Sequence, residues 1–134
     1  MPEQWQQAIA AFRQKVDTLP LKAVQEAAWL AGIEVVQTTP ERTGHLKYNW
    51  QGSSGSPIPK ERDGVDPGGG LTTGEIARAI LAMKSDQVFY LANPTSYGVA
   101  VEHGSDTQEA RLWVAAVKAK WQKFVTQAIA DVKR

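Results

Sequence analysis

The chain has 134 residues, enough for one domain with its own core, so neither disulfides nor a structural metal is needed to hold it together. Its 15 basic and 14 acidic side chains leave a net charge of +1, which exerts no general pull on nucleic acid or anionic lipid. The absence of cysteine excludes disulfides, thiolate metal sites and cysteine nucleophiles.

A composition of 43% hydrophobic and 22% charged residues is that of a globular protein. The first residues, MPEQWQQAIA, carry no basic patch followed by an apolar run. No signal peptide is expected, and no stretch is long enough to span a membrane. From Glu3 to Leu19, the apolar residues Trp5, Ile9, Phe12, Val16 and Leu19 are spaced four, three, four, three, which predicts an amphipathic helix ending at Leu19-Pro20. A second helix follows from about Leu21 to Gln37. It is apolar on more than one face, and Ala27, Ala28, Ala31 and Gly32 would let another element approach closely. Together these form an N-terminal helical pair.

Thr38-Thr39-Pro40 ends the second helix, and Thr43-Gly44 makes a turn. Leu46, Tyr48 and Trp50 then alternate with Lys47 and Asn49, which predicts a strand over Leu46–Gln51. Residues 52–74 hold seven of the eleven glycines and three of the seven prolines, with only Ile58, Val65 and Leu71 as sizeable apolar residues. Such a segment buries little surface against its chain entropy, which predicts a flexible loop within a single domain spanning 1–134. A short helix is predicted from near Gly74, capped by Thr72 or Thr73.

Val88–Leu91 reads as a buried strand, antiparallel to the first and stopped by Asn93-Pro94. Tyr97 and Val101 suggest a short helix, with Gly104 as its stop. After capping candidates Ser105, Asp106 and Thr107, one long helix is predicted from about Gln108 to Val132. The fold class is therefore α+β: helices around a small antiparallel sheet.

Residues able to carry chemistry do not form a recognisable set. His45 and His103, with Glu102 or Asp106, lack the spacing of a zinc site. Glu102 with Asp86 or Glu75 makes a general acid and base pair only on paper. Gly68-Gly69-Gly70 lacks the Lys-Ser/Thr ending of a phosphate-binding loop. No catalytic residue, metal or cofactor is expected. The lysines of the last helix read as its solvated face. The alternative is a small nucleic-acid-binding protein using Arg111, Lys118, Lys120 and Lys123.

Two ordered stretches carry a resemblance. Pro40-Glu41-Arg42-Thr43-Gly44-His45-Leu46, then Asn49-Trp50-Gln51 and Gly55-Ser56-Pro57, is similar to a segment of the minor tail and tail-completion proteins of tailed bacteriophages. Val88–Pro94, then Tyr97, Val101-Glu102-His103-Gly104-Ser105 and Gln108, resembles a later segment of that family. The chain departs from it in having Arg42 where Asp is frequent, and Glu109-Ala110-Arg111 where a proline follows.

The resemblance implies a virion protein of the tail or neck, made in the host cytoplasm. It would act in tail completion or head–tail joining without enzymatic activity. It implies a homo-oligomeric ring, a hexamer by family analogy, with tail-tube, terminator and connector proteins as partners. No membrane or specific nucleic acid is implied, although such a ring surrounds the genome during passage. Thr43, Gly44, Asn93, Pro94, Tyr97, Glu102 and Gly104 are expected to shape turns. Ile58, Lys60, Arg62, Val65 and Leu71, within the 52–74 loop, are the expected assembly interface.

Overall fold

The computed structural model describes residues 21–105 and 109–133; the predicted first helix and the capping candidates Asp106 and Thr107 lie outside them. The elements run α1 (Leu21–Thr38), α2 (His45–Tyr48), β1 (Gln51–Ser54), a 3-10 turn (Pro67–Gly69), α3 (Gly70–Ala82), β2 (Phe89–Ala92), α4 (Gly98–His103), α5 (Trp113–Ala119) and α6 (Trp121–Val132). The two strands are antiparallel, pairing Gln51 with Ala92 and Ser54 with Phe89. The architecture is α+β, with helices packed around this ribbon.

Among the described residues, several elements cover the apolar faces of α1. It packs on α6, on α3 and on α5, and buries Ala23, Ala27, Val35 and Val36. Gly32 sets the spacing on one side, since an added Cβ would lie 3.3 Å from Ile76 of α3. Thr39 finishes the helix: its hydroxyl donates to the Val35 carbonyl and accepts from Trp50 Nε1 at 2.8 Å. Trp50 is 1% exposed, so this bond gives the indole a polar partner inside the core.

The predicted strand over Leu46–Gln51 is instead a helical turn, and β1 begins only at Gln51. A run of six residues satisfies both periods, because Leu46 and Trp50 lie on one side whether the step is two or four. Lys47 decides the matter. A strand would turn it to solvent, but it is 6% exposed. Its ammonium donates to the carbonyls of Val36 (3.2 Å) and Gln37 (3.1 Å) at the end of α1, where a cation complements the helix dipole. Gly44 permits the turn with a φ of 92°, and its carbonyl accepts the amide of Tyr48 at 3.0 Å.

The 52–74 segment is not one long loop. It begins in β1 and ends in α3, leaving 55–66 as the irregular part before the 3-10 turn. Glycine serves close approach as well as freedom here: a Cβ on Gly52 would lie 2.8 Å from the Phe89 ring. Helix α3 starts at Gly70 rather than Gly74, and neither Thr72 nor Thr73 caps it. Asp66 takes that role, its carboxylate accepting the Thr72 amide at 2.7 Å.

Strand β2 lies one residue later than predicted, at Phe89–Ala92. The long C-terminal helix is two helices, starting at Trp113 and interrupted at Lys120, where φ is −91° and ψ is 1°. The break keeps Trp113 and Val117 of α5 in the same core as Trp121, Phe124 and Ala128 of α6.

Gly44 and Gly55 separate the two costs of adding a side chain. Both have φ above 90°, but a Cβ on Gly44 would lie 2.6 Å from the Pro67 nitrogen, whereas Gly55 has open space. In urea unfolding, Gly44→Ala should lose roughly 2–4 kcal/mol and Gly55→Ala about 1 kcal/mol.

Candidate functional site

Leu46 and Asn93, 47 residues apart in sequence, meet in space. Asn93 is 2% exposed. Its Nδ2 donates to the Leu46 carbonyl at 2.8 Å, and its Oδ1 accepts the Thr95 amide at 3.3 Å. Pro94 follows within this asparagine turn, which suits a residue with no amide to donate. The Tyr97 ring stacks on His45, with centroids 6.1 Å apart and planes at 29°. Thr43 completes the turn on the other side, its hydroxyl accepting the His45 amide at 3.2 Å.

Helix α4 ends as predicted at Gly104, where φ is 87° and the amide donates to the Ala100 carbonyl at 2.8 Å. Glu102 does more than shape this turn. It is 2% exposed, and its two carboxylate oxygens accept the amides of Val114 (3.0 Å) and Ala115 (2.9 Å). It therefore caps the first turn of α5 from another helix. The Val101 and Glu102 carbonyls also accept the amides of Arg111 and Leu112, both at 3.0 Å. Both oxygens of the residue considered for acid–base chemistry are thus bound by backbone. Glu75, its paper partner, forms a two-pronged ion pair with Arg62 at 3.1 and 2.8 Å.

The five expected interface residues divide. Val65 and Leu71 are 49% and 67% exposed, Lys60 is exposed, and Ile58 is half-buried. Arg62 is half-buried and bound within the chain. Its amide donates to Asn49 Oδ1 at 2.8 Å, its Nε to the Tyr48 carbonyl at 2.8 Å, and its guanidinium lies 3.8 Å from the Tyr48 ring centroid. Sequence reasoning missed Asn49, Glu61 and Asp66, which bind this loop to the body. Their signal was weak: polar residues in a glycine-rich stretch, like Asn49 at an alternating position of the predicted strand, read as solvated.

The charges at this face are coupled. His45 Nδ1 faces the Gly64 carbonyl at 2.7 Å and Nε2 faces Glu61 at 2.9 Å. The Glu61 hydrogen bond, then that to Gly64, raises the His45 pKa above 6.5. The same bond to His45, then the Ser96 amide, lowers that of Glu61 below 4.5. Burial pushes Asp66 up, but the amides of Thr72 and Leu71 and the nearby Arg62 charge outweigh it and hold Asp66 below 3.8.

His45 opens α2, whereas His103 is exposed at the end of α4; no trio of metal-ligating side chains occurs among the described residues, which do not include Asp106. A groove of about 510 Å³ lies between α1, α3 and α6, lined in part by Lys22, Trp29, Leu81 and Asp131. None of the predicted site residues borders it. Arg111, Lys118 and Lys123 are exposed, whereas Lys120 pairs with Glu34 at 3.0 Å.

Glu102→Ala should cost roughly 1.5–3 kcal/mol in urea unfolding, because it strands two amide donors that now bind a carboxylate. Asp66 has a native pKa below its unfolded value, so its stabilisation is present above 3.8 and is lost as pH falls through the native value. The urea midpoint should fall across that acid range, and Asp66→Asn should flatten that part of the profile.

No protein-family model, no curated protein and no solved structure matches this chain.

Proposed function

We propose that this chain is a structural protein of a tailed-bacteriophage particle, acting in tail completion or head–tail joining. It closes into a homo-oligomeric ring, a hexamer by analogy with the family it resembles, at the head-proximal end of the tail. The observation that carries this reading is the meeting of the two resembling stretches. Gly44–Leu46 and Asn93–Gly98 are joined by the Asn93–Leu46 bond and the His45–Tyr97 stack. Segments that share one three-dimensional feature are a stronger basis for resemblance than two separate short motifs.

A ring repeats one head-to-tail contact, so each subunit needs two different complementary patches. Lys60, Val65 and Leu71 provide the first, on the loop and the start of α3. Leu112 marks the second. It is 48% exposed and has a φ of 50°, a left-handed conformation that costs a non-glycine residue energy and often accompanies a functional surface. Partners in this reading are further copies, the tail tube or its terminator, and the connector.

The test is the mass of the full chain in solution, alone and with tail tubes that lack it, together with reconstitution of infectious particles. Wild type should form a ring on the tubes. Val65→Asp with Leu71→Asp changes only exposed side chains, so it should keep the wild-type circular dichroism and urea midpoint while particle joining falls at least about tenfold, the loss expected when a buried contact worth more than 1.4 kcal/mol is removed. Normal joining by that variant would remove the assigned interface. Failure of wild type to bind tubes or to self-associate would remove the assembly reading.

A further inference from the structure

Among the bonds that fasten the irregular segment 55–66 to the body, three sets surround Arg62 and Glu61. Asn49 exchanges hydrogen bonds with the Arg62 backbone, donating to its carbonyl at 3.1 Å and accepting its amide at 2.8 Å. Arg62 in turn grips Glu75. The third is through His45, a residue type whose charge changes near neutrality.

Both ring nitrogens of His45 face oxygen acceptors: the Gly64 carbonyl at Nδ1 and the Glu61 carboxylate at Nε2. Neither oxygen carries a proton when Glu61 is ionised, so both nitrogens must donate. Only the imidazolium has two N–H groups; either neutral tautomer aims a lone pair at one of these oxygens. Asn49 does not alter this count. It stands 3.4 Å from Nε2, and its Nδ2 lies closer to the carbonyls of His45 (3.0 Å) and Arg62 (3.1 Å).

The surrounding charges favour the same state. The loop contributes Glu61 and Asp63, both negative. The 93–98 turn contributes Tyr97, whose phenol stays neutral because burial, and then Glu61, raises its pKa above 10.0. On α2, Lys47 is engaged at the end of α1; on the loop, Arg62 is engaged by Glu75 and Tyr48. Glu61 also accepts the Ser96 amide at 2.9 Å through its second oxygen. One carboxylate thus joins α2, the loop and the turn after β2.

We propose that the His45 imidazolium is a latch holding residues 55–66 against the body, and that losing one ring proton to solvent loosens that loop. The sign follows from linkage. A native pKa above 6.5 means His45 contributes its full stabilisation below 6.5 and loses it as pH rises through the native value. Glu61, with a native pKa below 4.5, contributes above 4.5 and loses its part as pH falls. The latch is therefore tightest between these limits. Its bearing on ring formation rests on the assembly reading, because the loop carries the first patch; the latch itself does not.

The experiment is an NMR titration of the isolated full chain from about pH 5 to about pH 9, which brackets a raised histidine pKa. The His45 ring resonances are followed beside the hydrogen-exchange protection factors of the Ser96 and Arg62 amides. His45 should titrate above 6.5. Ser96 and Arg62 protection should fall roughly three- to tenfold over the same interval, the range expected for loss of one hydrogen bond. The Phe124 amide, inside the C-terminal helices, should hold its protection and so report that the fold persists. Glu61→Gln should move the His45 titration towards 6.5 and shrink the step, and His45→Gln should abolish it.

Unchanged Ser96 and Arg62 protection while His45 deprotonates would overturn the latch, as would a His45 titration at or below 6.5. If His45→Gln does not fold, the wild-type and Glu61→Gln titrations decide. An isolated chain with a working latch that never binds tail tubes would instead count against assembly and leave the latch standing.

Discussion

The Asn49 carboxamide, 0% exposed, is the constraint on which the irregular part of this protein depends. It donates to the His45 carbonyl at the start of α2 and exchanges bonds with Arg62 in both directions, much as a strand neighbour would. With the Arg62 backbone fixed, its guanidinium reaches Glu75 on α3 and covers the face of Tyr48. Asp66, four residues on, then stands where it can cap α3. A buried polar group with all its partners supplied specifies one arrangement, because any other leaves donors and acceptors unpaired.

The same economy of connection recurs at the other end of the chain. Glu102 fixes α5 through two amides, while the Val101 and Glu102 carbonyls hold the backbone leading into it. Lys47 does the converse at α1, closing the carbonyl end with a cation. In each case a charged side chain from one short helix completes the terminus of another. These caps are tertiary contacts, so they link the placement of neighbouring elements as well as ending them.

Legibility in the sequence followed the range of the interaction. Helix α1 and the Gly104 stop were readable because their signals are local: apolar spacing in one, a glycine able to take positive φ in the other. The strand predicted over Leu46–Gln51 failed because six residues cannot distinguish two periods when the inward pair is four apart. The caps at Asp66 and Glu102 were missed for a different reason. A carboxylate that caps a helix six or twelve residues away leaves no fixed spacing. Glycine richness was also misread at 52–74. At Gly52 and Gly69 it serves tight contact with Phe89 and Val36, so a composition typical of mobile chain belongs here partly to the packed core. For the turn residues the reading was closer: Thr43, Gly44, Asn93 and Tyr97 do converge, and two of them reach across to distant segments, Asn93 through its side chain to Leu46 and Gly44 through its carbonyl to the Asp66 amide.

The ribbon of β1 and β2 has only two members among the described residues. Each strand therefore keeps one rim with no ladder beyond it, and such rims invite extension by a foreign strand. On β1 that rim is written Gln-Gly-Ser-Ser, short, polar and poor in side chains that drive adhesion. The hydrophobic member, Phe-Tyr-Leu-Ala, is instead pressed into the core. The molecule thus buries most of its stickiest strand and leaves its least adhesive one half-covered, a guard against indiscriminate clumping.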